Sequence, residues 1–75
     1  MTKLVLISGQ KIIKRFERMG YQTVRQKGSH VRMRHKFDKT KNPLTIPKHK
    51  LIGRGLLRKL LRDADISIKE FNKLK

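Results

Sequence analysis

The feature that most constrains the fold is a stretch near the middle of the chain, residues 24–35, in which apolar and basic side chains alternate around a glycine. Alternation with a period of two predicts strands that are apolar on one face and polar on the other. In the second half of the stretch, Val31 and Met33 share the face expected to be core. The opposite face of this strand carries His30, Arg32 and Arg34.

The two residues at the centre of the stretch, Gly28-Ser29, predict a tight hairpin between two antiparallel strands. Glycine at the first central position accepts a positive φ without steric cost and suits a type II′ turn. In such a hairpin Lys27 pairs with His30.

This register makes two further predictions. Val24 falls opposite Met33 on the core face. Arg25 falls opposite Arg32 on the polar face, where facing like charges are destabilising by a few tenths up to about 1 kcal/mol. Because this face has no carboxylate of its own, we expect an anionic ligand there; the alternative is a merely solvated charged surface.

The length and composition predict one small domain over residues 1–75, since 75 residues form a single modest core. The chain has no cysteine, which excludes disulfides and thiolate chemistry. It has no apolar run long enough to span a membrane, and its start is too poor in apolar residues for a secretory signal. A cytoplasmic protein is therefore expected.

The charge predicts a polyanionic partner. Lys and Arg number 21 against five Asp and Glu, a formal net charge of +16, and neutralisation of phosphates by such a surface releases counterions. Nucleic acid is thus the first partner to consider. Membrane-surface binding is the alternative, but it usually needs a basic amphipathic helix with Trp or Phe on its other face, and the chain has no Trp and three scattered Phe.

The remaining elements follow from caps, turns and periodicity. They are, in chain order, a helix capped by Ser8 and stopped by Gly20, strands over residues 21–27, 30 to about 37 and 44–46, a helix from Arg54 and a short helix capped by Ser67. This order predicts an α+β fold: a small three-stranded antiparallel sheet with helices on one face. The other face stays open and carries the basic residues.

The helix from Arg54 has two distinct rows of side chains. Its apolar stripe is expected to be core and consists of Leu56, Leu57, Leu60, Leu61 and Ala64. A second row places Arg54, Arg58 and Arg62 at i, i+4 and i+8, where like charges repel. This row is either a second polyanion contact or a docking surface for an acidic protein partner; a regulator that binds DNA through it is a further alternative.

Three histidines are the side chains most suited to proton transfer near neutral pH. Strand parity points His35 toward the core edge, which predicts a structural role. His49 is either an ordinary loop residue or a second functional group. His30 lies among cations that also attract a phosphate, so it is the candidate catalytic residue.

A histidine beside cations fits metal-free cleavage of RNA. Neutral imidazole takes a proton from the 2′-hydroxyl, the alkoxide attacks the adjacent phosphorus, and the cations stabilise the charge that builds on the phosphoryl oxygens. Two-metal hydrolysis needs converging carboxylates, whereas the five here are scattered along the chain. No metal and no cofactor are expected. From the residues alone, a non-catalytic RNA-binding role for His30 remains open.

Several short tracts occur in a specific order over nearly the whole chain. They are Ser8-Gly9, Gly20-Tyr21, Arg25-Gln26-Lys27-Gly28-Ser29-His30, Arg34-His35, Thr45-Ile46-Pro47 with His49, Gly55, Leu57-Arg58-Lys59-Leu60-Leu61-Arg62, Ala64 and Ser67. In these tracts the chain resembles the HicA family, the mRNA interferase toxins of type II toxin–antitoxin pairs. Leu56 stands where that family commonly has Thr, and Asp65 where it often has Gly.

The resemblance implies a fold similar to the double-stranded RNA-binding domain, ribosome-independent mRNA endonuclease activity, and a role in growth arrest and stress survival. The catalytic histidine matches His30. The expected RNA-binding residues are Arg25, Lys27, Gly28, Ser29, Arg32 and Arg34. The expected substrate is single-stranded or structured mRNA, and the free toxin is expected to be monomeric. The alternative function is a non-catalytic double-stranded RNA-binding module.

The resemblance also implies a HicB-type antitoxin that covers the active face. The residues expected to contact it are Lys27, His30, Arg54, Arg58 and Arg62.

Overall fold

A computed structural model describes residues 3–74, in which three helices accompany one antiparallel sheet of three strands. The elements are α1 (Gly9–Arg18), β1 (Tyr21–Lys27), β2 (His30–His35), β3 (Leu44–Pro47), α2 (Arg54–Asp63) and α3 (Ile68–Lys73). The strands lie in the order β1-β2-β3. The predicted α+β class and element order are confirmed. No helix within residues 3–74 has the length and apolar character that crossing a membrane requires.

Helix α1 begins and ends where the sequence predicts. The side chain of Ser8 accepts a hydrogen bond from the backbone N–H of Lys11 at 3.2 Å, which satisfies one free donor of the first turn. Gly20 follows the helix with φ +111°, a left-handed conformation that glycine adopts without a Cβ clash.

One apolar core lies between the helices and one face of the sheet. Its buried side chains are Leu4, Ile12, Ile13, Phe16, Tyr21, Val31, Met33, Leu44, Ile46, Ile52, Leu57, Leu60, Leu61, Ala64 and Phe71. Val31 and Met33 of β2 face this core as predicted, and Leu44 and Ile46 of β3 lie on the same face. The predicted stripe on α2 is confirmed for four residues, whereas Leu56 is partly buried.

The hairpin has the predicted turn and pairing. Gly28 has φ +59°, and Ser29 is not among the residues with positive φ, the combination of a type II′ rather than a type I′ turn. Lys27 pairs with His30 across the ladder. The N–H of Lys48 donates to the Ser29 carbonyl at 2.8 Å, so the turn is tied to the residue after β3.

The predicted pairing of Val24 with Met33 is wrong. The register shifts between Thr23 and Arg25, so that Thr23 pairs with Met33 and Val24 is 47% exposed. A bulge adds one unpaired residue and reverses the parity of the strand beyond it. The bulge places Tyr21 in the core, where it is 1% exposed; an unbroken register would have turned that ring to the open face.

β2 ends at His35, about two residues earlier than predicted, because the chain turns around this ring. The backbone N–H groups of Phe37 and Asp38 donate to His35 Nδ1 at 3.2 and 2.9 Å. Since Nδ1 accepts, Nε2 carries the proton and donates to the Met19 carbonyl at 2.9 Å. The ring also packs edge-on against Tyr21 at 5.2 Å. The predicted structural role of His35 is confirmed.

Backbone bonds of a Schellman motif end α2. The N–H of Ile66 donates to the Leu61 carbonyl at 3.0 Å, and that of Asp65 to the Arg62 carbonyl at 3.1 Å. Asp65 has φ +52°, the conformation that glycine adopts most easily. α3 then begins at the predicted cap, Ser67, whose hydroxyl accepts from the N–H of Glu70 at 3.1 Å.

Candidate nucleic-acid interface

The face of the sheet opposite the core forms a concavity of about 640 Å³, which we call the open-face concavity. Its lining residues are Val24, Arg25, Lys27, His30, Arg32, Arg34 and Thr45. All three strands contribute, since β1 and β3 pair on either side of β2. The structure therefore brings together five of the basic or titratable residues that the sequence predicts for the site.

Cross-strand pairing determines which charged side chains lie opposite each other on this surface. Lys27 lies opposite His30, and Arg25 lies opposite Arg32. Because directly paired residues on one face have Cβ atoms only about 4.5–5.5 Å apart, the cations are concentrated around the imidazole. The lining includes no carboxylate.

Carboxylates elsewhere do not offset this charge. The one ion pair found within residues 3–74 joins Lys59 to Asp63 on α2, at 3.1 Å. Asp38 instead accepts from the N–H of Thr40 at 3.0 Å, and hydrogen bonds from the Thr40 side chain and backbone hold the pKa of Asp38 below its ordinary value. The open-face concavity is thus a cationic surface without an internal counterion.

Two lining residues were not predicted from the sequence. Thr45 accepts a hydrogen bond from an Arg32 terminal nitrogen at 2.9 Å, which orients that guanidinium within the concavity. The alternation of Leu44 and Ile46 already indicates that Thr45 faces outward. Val24 reaches the surface because of the bulge, for which no local signal is present.

The HicA toxin family of bacterial toxin–antitoxin systems matches residues 9–66. The chain belongs to the HicA toxin family. The match runs from the first residue of α1 to beyond α2 and includes every residue that lines the concavity. The protein is accordingly the toxin of a toxin–antitoxin system. Comparison with curated proteins and with solved structures gives no further match.

The other two histidines of this HicA-family toxin lie outside the concavity. His49 is exposed in the loop after β3, and its carbonyl accepts from the N–H of Gly9 at 2.9 Å. His35 is held at the core edge. His30 is therefore the histidine that the fold places among the open-face cations. Within residues 3–74, no three side chains of the His, Asp and Glu types form a group able to hold a metal ion.

The turn residues adjoin the concavity without lining it. The Gly28 carbonyl accepts from the Gln26 side-chain amide at 3.0 Å, and the Ser29 carbonyl accepts from Lys48. Both carbonyls thus stabilise the hairpin itself.

The arginine row is also separate from the concavity in this HicA-family toxin. Arg54, Arg58 and Arg62 are exposed on α2, and none of them lines the surface to which Lys27 and His30 belong.

Proposed function

We propose that this HicA-family toxin is a metal-independent endoribonuclease that cleaves mRNA in the open-face concavity, with His30 as the general base. The observation that carries the proposal is the position of His30, an exposed imidazole in a concavity whose charged lining consists of Arg25, Lys27, Arg32 and Arg34. A phosphodiester is attracted to the same surface.

The proposed reaction is an intramolecular transesterification. Neutral His30 takes the proton of a 2′-hydroxyl, the O2′–P bond forms, and the P–O5′ bond breaks. The products are a 2′,3′-cyclic phosphate and a 5′-hydroxyl, the latter after the leaving oxygen takes up a proton from solvent. Negative charge grows on the phosphoryl oxygens during attack.

The surrounding cations stabilise that growing charge. Arg32 is oriented before substrate arrives, because Thr45 holds it at 2.9 Å, and preorganised donors cost little reorganisation during the reaction. Lys27 faces the imidazole directly across the ladder, which makes it a second candidate for the phosphoryl contact. Arg25 and Arg34 extend the same surface along the strands and are proposed to bind neighbouring phosphates.

The proposed protein partner is a HicB-type antitoxin that covers the concavity. The surface it must cover is cationic and lacks a counterion, so carboxylates of the antitoxin are expected beside Lys27 and His30. The exposed row Arg54, Arg58 and Arg62 is proposed as a further contact. We propose the bacterial cytoplasm as the site of action and a monomeric free toxin.

The deciding experiment compares two exposed histidines. RNA decay is measured with pure wild-type toxin and with the His30→Ala and His49→Ala variants, each with and without EDTA. We expect cleavage by wild type and His49→Ala, with or without EDTA, and its loss in His30→Ala. Because both side chains are exposed, each variant should keep its stability within about 0.5 kcal/mol.

Either of two results would contradict the proposal. Cleavage that persists in the His30→Ala variant excludes His30 as the general base. Wild-type cleavage that disappears with EDTA excludes the metal-free reaction.

The second candidate is a non-catalytic double-stranded RNA-binding module, which the cationic concavity also favours. Wild-type toxin that binds RNA with a steep salt dependence and never cuts it would establish that function instead.

A further inference from the structure

Helix α1 carries a second cationic surface that the proposed reaction does not use. Four basic side chains line a cleft of about 310 Å³ together with Leu74 near the end of the chain. These four residues, which we call the α1 basic stripe, are Lys11, Lys14, Arg15 and Arg18.

The stripe points away from the sheet. The buried residues of α1, Ile12, Ile13 and Phe16 among them, face the core. At 3.6 residues per turn, the four basic residues lie together within about 100° on the opposite side of the helix, and they extend for about 10 Å along its axis. Glu17, the helix's own carboxylate, lies outside this arc. The open-face concavity and the stripe therefore occupy opposite sides of the layered fold.

The arrangement of charge in the stripe predicts that it binds an anion. Its members are three or four residues apart, where like charges destabilise a helix. Arg15 is held in place by stacking on the Phe71 ring, with its guanidinium carbon 4.9 Å from the ring centroid. Partial burial, and then the charge of Arg18, lower the pKa of Arg15 from its ordinary value. No ion pair to a carboxylate is found for any of the four within residues 3–74.

We propose that the α1 basic stripe is a second nucleic-acid backbone site, which holds a distal part of the RNA bound at the open-face concavity. The inference rests on the proposed RNA substrate. It adds that RNA must be long enough to reach both surfaces to gain the contacts of the stripe. The stripe length of about 10 Å corresponds to the axial rise of about three nucleotides of one strand in a duplex. Its contacts are to phosphates and thus add affinity without reading sequence.

The chemistry of the cleft favours nucleic acid over an acidic protein. The centres of protein–protein interfaces are depleted in charged residues and enriched in aromatic ones. Here the lining is four cations with a single, partly buried aliphatic side chain, Leu74. The backbone of a nucleic acid carries charge at regular intervals. It therefore matches this surface better than a protein partner with an apolar contact centre.

The two sites make the affinity depend on RNA length. The molecule measures 34 × 27 × 19 Å along its principal axes, so a short oligonucleotide seated in the concavity does not reach the stripe. A long or folded RNA can contact both surfaces. The stripe should therefore contribute to binding of long RNA only.

The test uses the His30→Ala toxin, in which bound RNA is expected to stay intact. Affinity for a long structured RNA and for a short oligonucleotide is measured over a range of salt, with and without Lys14→Gln and Arg18→Gln together. With the long RNA, the slope of log affinity against log salt should become shallower by about 0.7–0.9 for each phosphate that the variant no longer neutralises. With the short oligonucleotide, this slope should not change. Lys59→Gln with Lys69→Gln is the control with the same change in charge, on exposed positions of α2 and α3.

Several outcomes overturn the inference. They are an unchanged slope for long RNA, an equally shallower slope in the control variant, and an equally shallower slope for the short oligonucleotide. A loss of polyglutamate binding at unchanged RNA affinity would assign the stripe to an acidic protein instead. A toxin that binds long RNA through the stripe but never cleaves it would contradict the proposed function and leave this inference standing. A toxin that binds no RNA contradicts both.

Discussion

Arg25 and Arg32 lie directly opposite each other on the β1–β2 ladder, and no carboxylate lines the concavity that they share. Like charges in this position oppose pairing of the strands. A face used only for solvation would gain stability from a carboxylate at either position. The free toxin therefore holds a locally unfavourable charge arrangement that a bound anionic ligand would relieve.

Replacing Arg25 by Gln should separate stability from activity. The facing positive charges are removed, so the free energy of unfolding should rise by a few tenths up to about 1 kcal/mol in low salt, with a smaller gain in high salt because screening weakens the repulsion. RNA affinity and cleavage should fall. Chemical denaturation at two salt concentrations, together with an RNA decay assay, measures both effects.

The matched control for this variant is Lys59→Gln, which removes one positive charge from a residue paired with Asp63 at 3.1 Å. It should leave RNA cleavage unchanged and give no comparable gain in stability, because it removes an attraction. A loss of stability in Arg25→Gln that matches or exceeds the loss in Lys59→Gln would contradict the account of the ladder.

The hairpin and its cationic face were predictable because their signals are local. Gly28 determines the turn, the turn sets the pairing of Lys27 with His30, and alternation then assigns Arg32 to the open face. The bulge was not predictable in this way. It depends on the burial of Tyr21, whose hydroxyl donates to the Asn42 carbonyl at 2.8 Å across 21 residues of sequence.

The candidate site shows the same division between local and distant signals. The outward direction of Thr45 follows from alternation in its own strand. Its hydrogen bond to Arg32 depends on the β2–β3 register, which a polar connection of eight residues, 36–43, leaves undetermined from the sequence. The catalytic role of His30 stays a prediction, because position alone does not establish proton transfer.

Replacing Gly20 by Ala should destabilise the toxin. Gly20 has φ +111°, and a Cβ at this position would lie 2.6 Å from His35 Nε2, the atom that donates to Met19. The expected cost is about 1–3 kcal/mol, the usual range for a residue forced into a sparsely populated backbone conformation. Urea denaturation measures it.

The same substitution at Gly55 provides the comparison. Gly55 lies in α2, and a Cβ there meets nothing within 4 Å. Gly55→Ala should be neutral or stabilise the toxin by up to about 1 kcal/mol, since alanine favours helix. Equal effects at the two positions would rule out the proposed close contact with His35.

Asp65 offers a second test of backbone conformation. With φ +52°, it occupies a region that costs an L-residue about 1–2 kcal/mol, while glycine there adds about 0.4–1 kcal/mol of unfolded-state entropy. Asp65→Gly should therefore raise the free energy of unfolding by up to about 1.6 kcal/mol. Asp65→Val should lower it, because a β-branched residue tolerates this region poorly. Thermal unfolding of both variants measures these changes in stability. A stabilising effect of Asp65→Val would contradict the left-handed conformation assigned to Asp65.

Tyr21 should titrate late and make the fold sensitive to alkali. Burial, followed by the charges of Asp63 and Asp38, raises the pKa of Tyr21 to about 12, against about 10 in an unfolded chain. Since folding favours the protonated phenol, this stabilisation is complete below about pH 10 and is lost as the pH rises toward about 12. The chain has one tyrosine, so tyrosinate absorbance reports this group alone, with urea-unfolded toxin as the control. The titration midpoint should lie well above that of the unfolded chain, and coincident midpoints would show that the ring is not buried as described.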